Sequence, residues 1–177
     1  MQRRPIILWG DPRLVAPNAP VETFDQDLEA LITEMFETSW AAPGLGLAAP
    51  QIGVNLRLTV LDLSVGKDID QKIVLANPEI IHQEGRETTE EGCLSFPGLF
   101  TTFERPRKVI VRGQDATGTW REIEGEDLLA QALCHEIDHL NGILLIDHIR
   151  GLKRRMFLRK VKKLREAGAW DSPTADS

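Results

Sequence analysis

Cysteine is scarce in this chain: Cys93 and Cys134 are the only two among 177 residues. Two cysteines with no recognisable secretory leader do not make a disulfide scaffold, so a reducing compartment is expected and both thiols are free for other chemistry. Long apolar runs are missing too. No stretch approaches the roughly 20 residues that a membrane-spanning helix needs, and the opening, Met1 to Gly10, is too short and too weakly apolar for a signal peptide. A cytoplasmic protein with no membrane contact is expected. Repeats, low-complexity blocks and dividing linkers are also absent. One domain is therefore expected over residues 1–168, large enough for its own core, followed by a loose tail from Ala169 to Ser177.

The net charge of −6 is modest but unevenly spread. Arg150 to Arg165 holds nine basic residues and no acidic one. With Leu152, Met156, Leu158, Val161 and Leu164 interleaved, this block reads as an amphipathic C-terminal helix within about residues 151–168. Such a helix is either a solvated face or a contact for RNA phosphates. Neither specific DNA binding nor self-association is expected, so a monomer is the default.

Helix and strand signals alternate. Thr23 and Gln26 form a capping-box pattern before a helix of about Asp25 to Trp40, with a stripe of Leu28, Leu31, Ile32, Met35 and Phe36. Short β-branched or apolar runs predict strands at Arg57–Leu63, Lys72–Asn77, Glu79–His82, Lys108–Gly113 and Trp120–Ile123, with a hairpin turn at Thr117-Gly118. Strands clustered between helices predict an α+β fold with largely antiparallel sheets, an N-terminal helix, a central helix and a C-terminal helix.

The central helix carries the chemistry. Leu128 to Leu133 is apolar and strongly helix-forming, Glu126 and Asp127 precede it, and Asn141-Gly142 supplies a stop. Leu129, Leu133, Ile137 and Leu140 form its core-facing stripe. Within it lies His135-Glu136-Ile137-Asp138-His139. Positions i and i+4 share a helix face, so both imidazoles can reach one metal ion, with Glu136 about 100° round the axis. Catalytic zinc-type sites use three protein ligands and an open fourth position, so a partner is missing. The extended protease motif would put a histidine at the position of Leu145; His148 is three residues further on, with no spacing reason to reach the ion. Asp147 and Glu166 are downstream candidates outside any ligand motif. Cys93, in Glu91-Gly92-Cys93-Leu94-Ser95, is the upstream candidate, although a lone cysteine is as readily a small buried hydrophobe.

A third segment, Gly44-Leu45-Gly46-Leu47-Ala48-Ala49-Pro50-Gln51, completes an ordered set. With these three motifs in this order, the chain resembles the peptide deformylases from about Ile6 to its C-terminal helix. The resemblance implies that Cys93, His135 and His139 bind one divalent metal, Fe(II) in the cell, with zinc, nickel or cobalt as replacements. It further implies that Glu136 handles protons while Gln51 and the Leu94 N–H stabilise an oxyanion. The implied reaction removes the formyl group from the N-terminal formylmethionine of nascent polypeptides, a metal-activated water attacking the formyl carbon. In some members the basic C-terminal helix docks on the ribosome, which makes rRNA a candidate partner of Arg150 to Arg165.

For the substrate, the glycines of the Gly44, Leu45 and Gly46 segment would let a peptide approach and pair as an added strand. Leu128, Leu129 and Ala132 would offer an apolar face to the methionine side chain. Asp138 reads as a supporting residue, and Glu91 as a loop anchor, through Arg105, beside the peptide. Two positions depart from the family pattern. Cys134 stands where glutamine is usual, placing a second thiol near the site and raising the prospect of an inactivating bridge to Cys93. Phe100 stands where many relatives have a peptide-holding arginine. A zinc peptidase and a catalytically idle ribosome-associated module are the alternative readings.

Overall fold

The apolar spacing near the N-terminus forms its helix, but with a different cap. In the computed structural model, which describes residues 3–174, α1 spans Gln26–Ala41 and buries Leu28, Ile32, Met35 and Phe36. Asp25, not Thr23, is its N-cap and accepts from the Leu28 N–H at 3.0 Å. Leu28 is the third helical residue counted from Asp25, within reach of a short carboxylate.

Five strands form an antiparallel sheet: β1 (Gly46–Ala48), β2 (Leu58–Leu61), β3 (Ile73–Glu84), β6 (Lys108–Gln114) and β7 (Trp120–Glu126), in the order β1-β2-β3-β6-β7. A separate antiparallel hairpin pairs β4 (Glu87–Cys93) with β5 (Phe96–Arg105). The expected strands Lys72–Asn77 and Glu79–His82 are one strand, β3. Its register with β6 shifts between Ala76 and Glu79, where Asn77 takes a φ of +52° and Pro78 follows. A bulge admits a proline that cannot donate to the ladder. The Asn77 side chain holds it by bonding both the N–H and the C=O of Val21. Strands β1, β4 and β5 are additions to the expected set.

Helix α2 (Leu128–Leu140) lies on the sheet. Ala130, Leu133 and Ile137 join Leu61, Leu75, Val109 and Val111 in one apolar cluster, each large side chain contributing about 1.5–3 kcal/mol. The helix approaches β7 closely because Gly125 has no side chain: a Cβ there would lie 2.8 Å from Leu133 Cδ1. Gly142, at φ +72°, ends the segment in a left-handed turn.

Helix α3 (Gly151–Glu166) buries Phe157 and Val161, with the Phe157 ring edge-on to Phe96 at 5.5 Å. Leu152 and Met156, placed on the apolar stripe by spacing, are exposed. Ala169 to Thr174, expected as part of a loose tail, make contacts with the body of the chain. Trp170 lies 6.3 Å from the Phe96 ring and under the Arg165 guanidinium, while Ser172 Oγ accepts from the Ile6 N–H at 2.9 Å. Thr174 Oγ1 donates to the Arg4 carbonyl at 2.9 Å. Residues 175–177 of that tail lie outside the described residues. Among the described residues no helix is long and apolar enough to cross a membrane.

Candidate active site

The i,i+4 spacing on α2 and the turn at the end of β4 bring three donors together. Ligand atoms of Cys93, His135 and His139 all lie within 4.8 Å of one another. Cys93 Sγ is 3.4 Å from His139 Nε2, close to the roughly 3.5 Å expected between sulfur and nitrogen donors around a tetrahedral ion with bonds near 2.3 and 2.0–2.1 Å. His135 Nδ1 is 3.0 Å from Glu91 Oε1. An ionised carboxylate only accepts, so Nδ1 carries the proton and Nε2 is left to bind. The donor set, its spacing and the fixed tautomer all fit a first-row divalent ion. Asp147 is occupied elsewhere, accepting from the Leu144 N–H at 2.8 Å.

Burial opposes the charging of His135, but Cys93 and Glu91 outweigh it and hold this imidazole well above its ordinary pKa. Burial, with His135 and Arg105 nearby, holds His139 well below. Positive charge is therefore favoured on His135 and disfavoured on His139. Burial pushes the Glu136 carboxyl up to about 7. Among the described residues its one hydrogen-bond partner is weak: Thr59 Oγ1 is 3.4 Å from Oε2 and lies closer, at 2.9 Å, to the Leu47 carbonyl. A carboxyl titrating near neutrality can both take and return a proton.

Gln51 is fully enclosed. Its Oε1 accepts from the Ala48 N–H at 3.0 Å, which turns Nε2 toward Ser95 Oγ at 3.2 Å and Cys93 Sγ at 3.7 Å. The amide donor is thus locked beside the donor cluster. Leu94 sits in the turn between β4 and β5, and its side chain needs Gly44: a Cβ on Gly44 would fall 2.7 Å from Leu94 Cδ1. Gly46 has the same relation to Glu136, with a Cβ there 3.0 Å from Oε1. The two glycines are spaces into which the Leu94 and Glu136 side chains fit.

A cleft of about 510 Å³ opens over these groups, within the usual range for a ligand site. Gly44, Leu45, Gly46, Phe100, Leu128 and Ala132 line it, as does Pro173 of the C-terminal segment. Leu129 does not. It lies about 100° round α2 from Leu128 and packs in the sheet-facing cluster against Gly125. Glu91 borders the cleft, yet both its oxygens are engaged by the protein. Arg105 grips it with Nε at 2.8 Å and Nη2 at 3.0 Å, Thr89 Oγ1 donates to Oε2 at 3.2 Å, and His135 Nδ1 meets Oε1. Burial opposes its ionisation, but His135 and Arg105 hold its carboxyl at about 2. Glu91 thus borders the cleft and orients a histidine, anchored by Arg105.

The second thiol is separate. Cys134 packs in the sheet-facing cluster whereas Cys93 belongs to another, both are free, and burial pushes the Cys134 thiol up to about 11. Sequence reasoning missed Thr59, Ser95 and His148, whose partners are 77, 44 and 10 residues away. No local spacing signals such contacts.

Residues 3–155 match the family model described as polypeptide deformylase. The chain belongs to the polypeptide deformylase family. A peptide deformylase of Acidobacterium capsulatum is 52% identical over 170 residues, covering 96% of this chain and all of that one. A crystal structure of a peptide deformylase from Legionella pneumophila aligns with a TM-score of 0.89 at 48% identity, covering 95% and 98% of the two chains. One from Thermus thermophilus aligns at 0.85 and 40%, covering 92% and 95%. As a member of this metal-dependent family the chain is an enzyme that removes N-terminal formyl groups from peptides. The peptidase reading of the His-Glu-x-x-His helix falls with that assignment.

Proposed function

We propose that Cys93, His135 and His139 hold one Fe(II) ion per chain, replaceable by zinc, nickel or cobalt, and that Glu136, Gln51 and the Leu94 N–H carry the hydrolysis of formylmethionyl nascent peptides. The observation that carries this reading is the convergence of the three ligand atoms within 4.8 Å beside buried Glu136 at the floor of the cleft. An ion held there supplies Lewis acidity and makes water a competent nucleophile at neutral pH. Glu136 accepts a proton from the attacking water and delivers it to the departing amine, which its near-neutral carboxyl suits. Gln51 Nε2 and the Leu94 N–H donate to the oxygen that becomes negative, each worth about 100- to 1000-fold in turnover.

The formylmethionine side chain lies against Leu128 and Ala132. The following residues pair with the outer edge of β1 near Gly44 to Gly46, since β1 is bonded to β2 alone and ends its sheet. Phe100 bounds the peptide path. The protein acts in the cytoplasm as a monomer with residues 1–168 as one catalytic unit. The exposed basic residues of α3, beginning at Arg150, rest on rRNA phosphates.

Formate release from a formylmethionyl tripeptide by anaerobically prepared enzyme tests the reading. The Glu136→Ala variant is expected to lose about 100- to 10,000-fold in turnover while keeping its metal. Equal activity in that variant would defeat the assignment of Glu136. Co-sedimentation with ribosomes that is unchanged by deletion of residues 151–177 would remove the rRNA contact.

A further inference from the structure

Behind the ligands runs a chain of charged contacts that ends on a residue with no role so far. Glu91, which orients His135, is gripped by Nε and Nη2 of Arg105. The remaining arm of the guanidinium, Nη1, reaches Asp138 Oδ2 at 2.7 Å. The same oxygen meets His148 Nε2 at 2.7 Å. Arg105 and Glu91 have side chains only 5% and 2% exposed, whereas Asp138 and His148 are at 19% and 26%. The row thus leads from the buried ligand toward the surface.

His148 is held for this contact. Its ring stacks on Phe103 with centroids 4.5 Å apart and planes 4° from parallel. The Arg105 guanidinium lies 4.8 Å from the same Phe103 ring. Phe103 and Arg105 are alternate residues of β5 and point the same way, so one strand face sets both donors against Asp138. A carboxylate supplies no proton, so Nε2–H of His148 is the donor. Removing it leaves Asp138 Oδ2 with Arg105 alone. The guanidinium is then free to turn toward Asp138, at the expense of its two-pronged hold on Glu91.

We infer that His148 is a positioning residue for the metal ligand His135, acting through Asp138, Arg105 and Glu91. The inference rests on the ligand assignment proposed above. Partners one contact behind a metal ligand typically change metal affinity about 10- to 100-fold when removed; His148 is further out, so about 3- to 10-fold is expected.

Two substitutions separate the hydrogen bond from the packing. His148→Phe keeps a ring to stack on Phe103 and removes the donor. His148→Gln gives up the ring but can restore an N–H near the Nε2 position. Zinc transfer to a chromogenic chelator is followed from the zinc-loaded proteins, and the visible absorption bands are compared after cobalt substitution. The relay predicts zinc release about 3- to 10-fold faster in His148→Phe, with shifted cobalt bands, and a return toward wild type in His148→Gln. Wild-type release and unchanged bands in His148→Phe would overturn it. So would a His148→Gln that releases zinc as fast as His148→Phe. A wild-type chain that takes up no zinc would overturn the ligand assignment itself, and is distinguishable because failure of the relay leaves wild-type uptake intact.

Discussion

The donor cluster is assembled from two unlike pieces, helix α2 and the β4–β5 hairpin. The helix is apolar, rests on a sheet, and places His135 and His139 by its own 3.6-residue period. The hairpin contributes Cys93 from the end of β4 and is fixed to the helix mainly by polar contacts. Gln131 Nε2 donates to the Glu90 carbonyl at 3.0 Å, Glu91 meets His135, and Arg105 meets Asp138. Non-directional burial seats the first piece, while the second is set against the helix by directional contacts in which one guanidinium holds two carboxylates. An apolar seat tolerates small adjustments; a buried ion pair that loses a partner leaves charge unsatisfied.

Arg105→Met is therefore the most severe way to break the comparison. It strands Glu91 and Asp138 behind the site and should cost about 3–5 kcal/mol, read from urea unfolding of the metal-free protein. Acid should act on the same joint. The folded Glu91 carboxyl, at about 2, lies below its ordinary value of 4.5, so its stabilisation is present above pH 4.5 and disappears as pH falls toward 2. Arg105→Met should flatten that limb of the stability profile. A variant as stable as wild type, with an unchanged acid limb, would mean that apolar contacts alone seat the hairpin.

Gly46→Ala probes the helix side with a smaller effect. The new methyl would meet Glu136 Oε1 and the Val60 carbonyl, both at 3.0 Å. A cost of about 1–3 kcal/mol is expected, together with slower formate release as Glu136 is displaced. Unfolding and turnover measured on one preparation decide it, and a fully active variant would show that the Glu136 carboxylate has room to move. Least is expected of Cys134→Ala. Removing one buried sulfur from the sheet-facing cluster should cost about 1 kcal/mol with formate release unaltered, and a large loss of activity would give that thiol a role in the site.

How much could be read in advance divides along the same line. The helix was legible because Leu133, Ile137 and Leu140 repeat at helical spacing around the two histidines, and the placing of both imidazoles on one face followed from the period alone. Strand β5 was not. From Leu99 to Arg105 it alternates regularly between inside and outside, yet Thr101 and Arg105 face inward while Phe100 faces out. Its period is that of a strand, but its polarity is reversed where it serves the site. Strand β4 hides for the same reason: Glu91 is its deeply buried side chain amid threonines and glutamates. Cys93 was found through neighbouring motifs and not from its own surroundings. The links from Arg105 to Asp138 and from Asp138 to His148 require the folded chain.

The C-terminal segment has a consequence for the order in which the site is completed. Ile6 and Ser172 are joined across 166 residues, by one backbone N–H and one hydroxyl. Beyond Trp170 the segment is held by a few hydroxyl hydrogen bonds to Arg4 and Ile6, so this joint should form late in folding and open early under stress. Pro173, carried on that joint, borders the cleft. The site thus has one margin that can fray while its floor, on α2 and the sheet, stays folded.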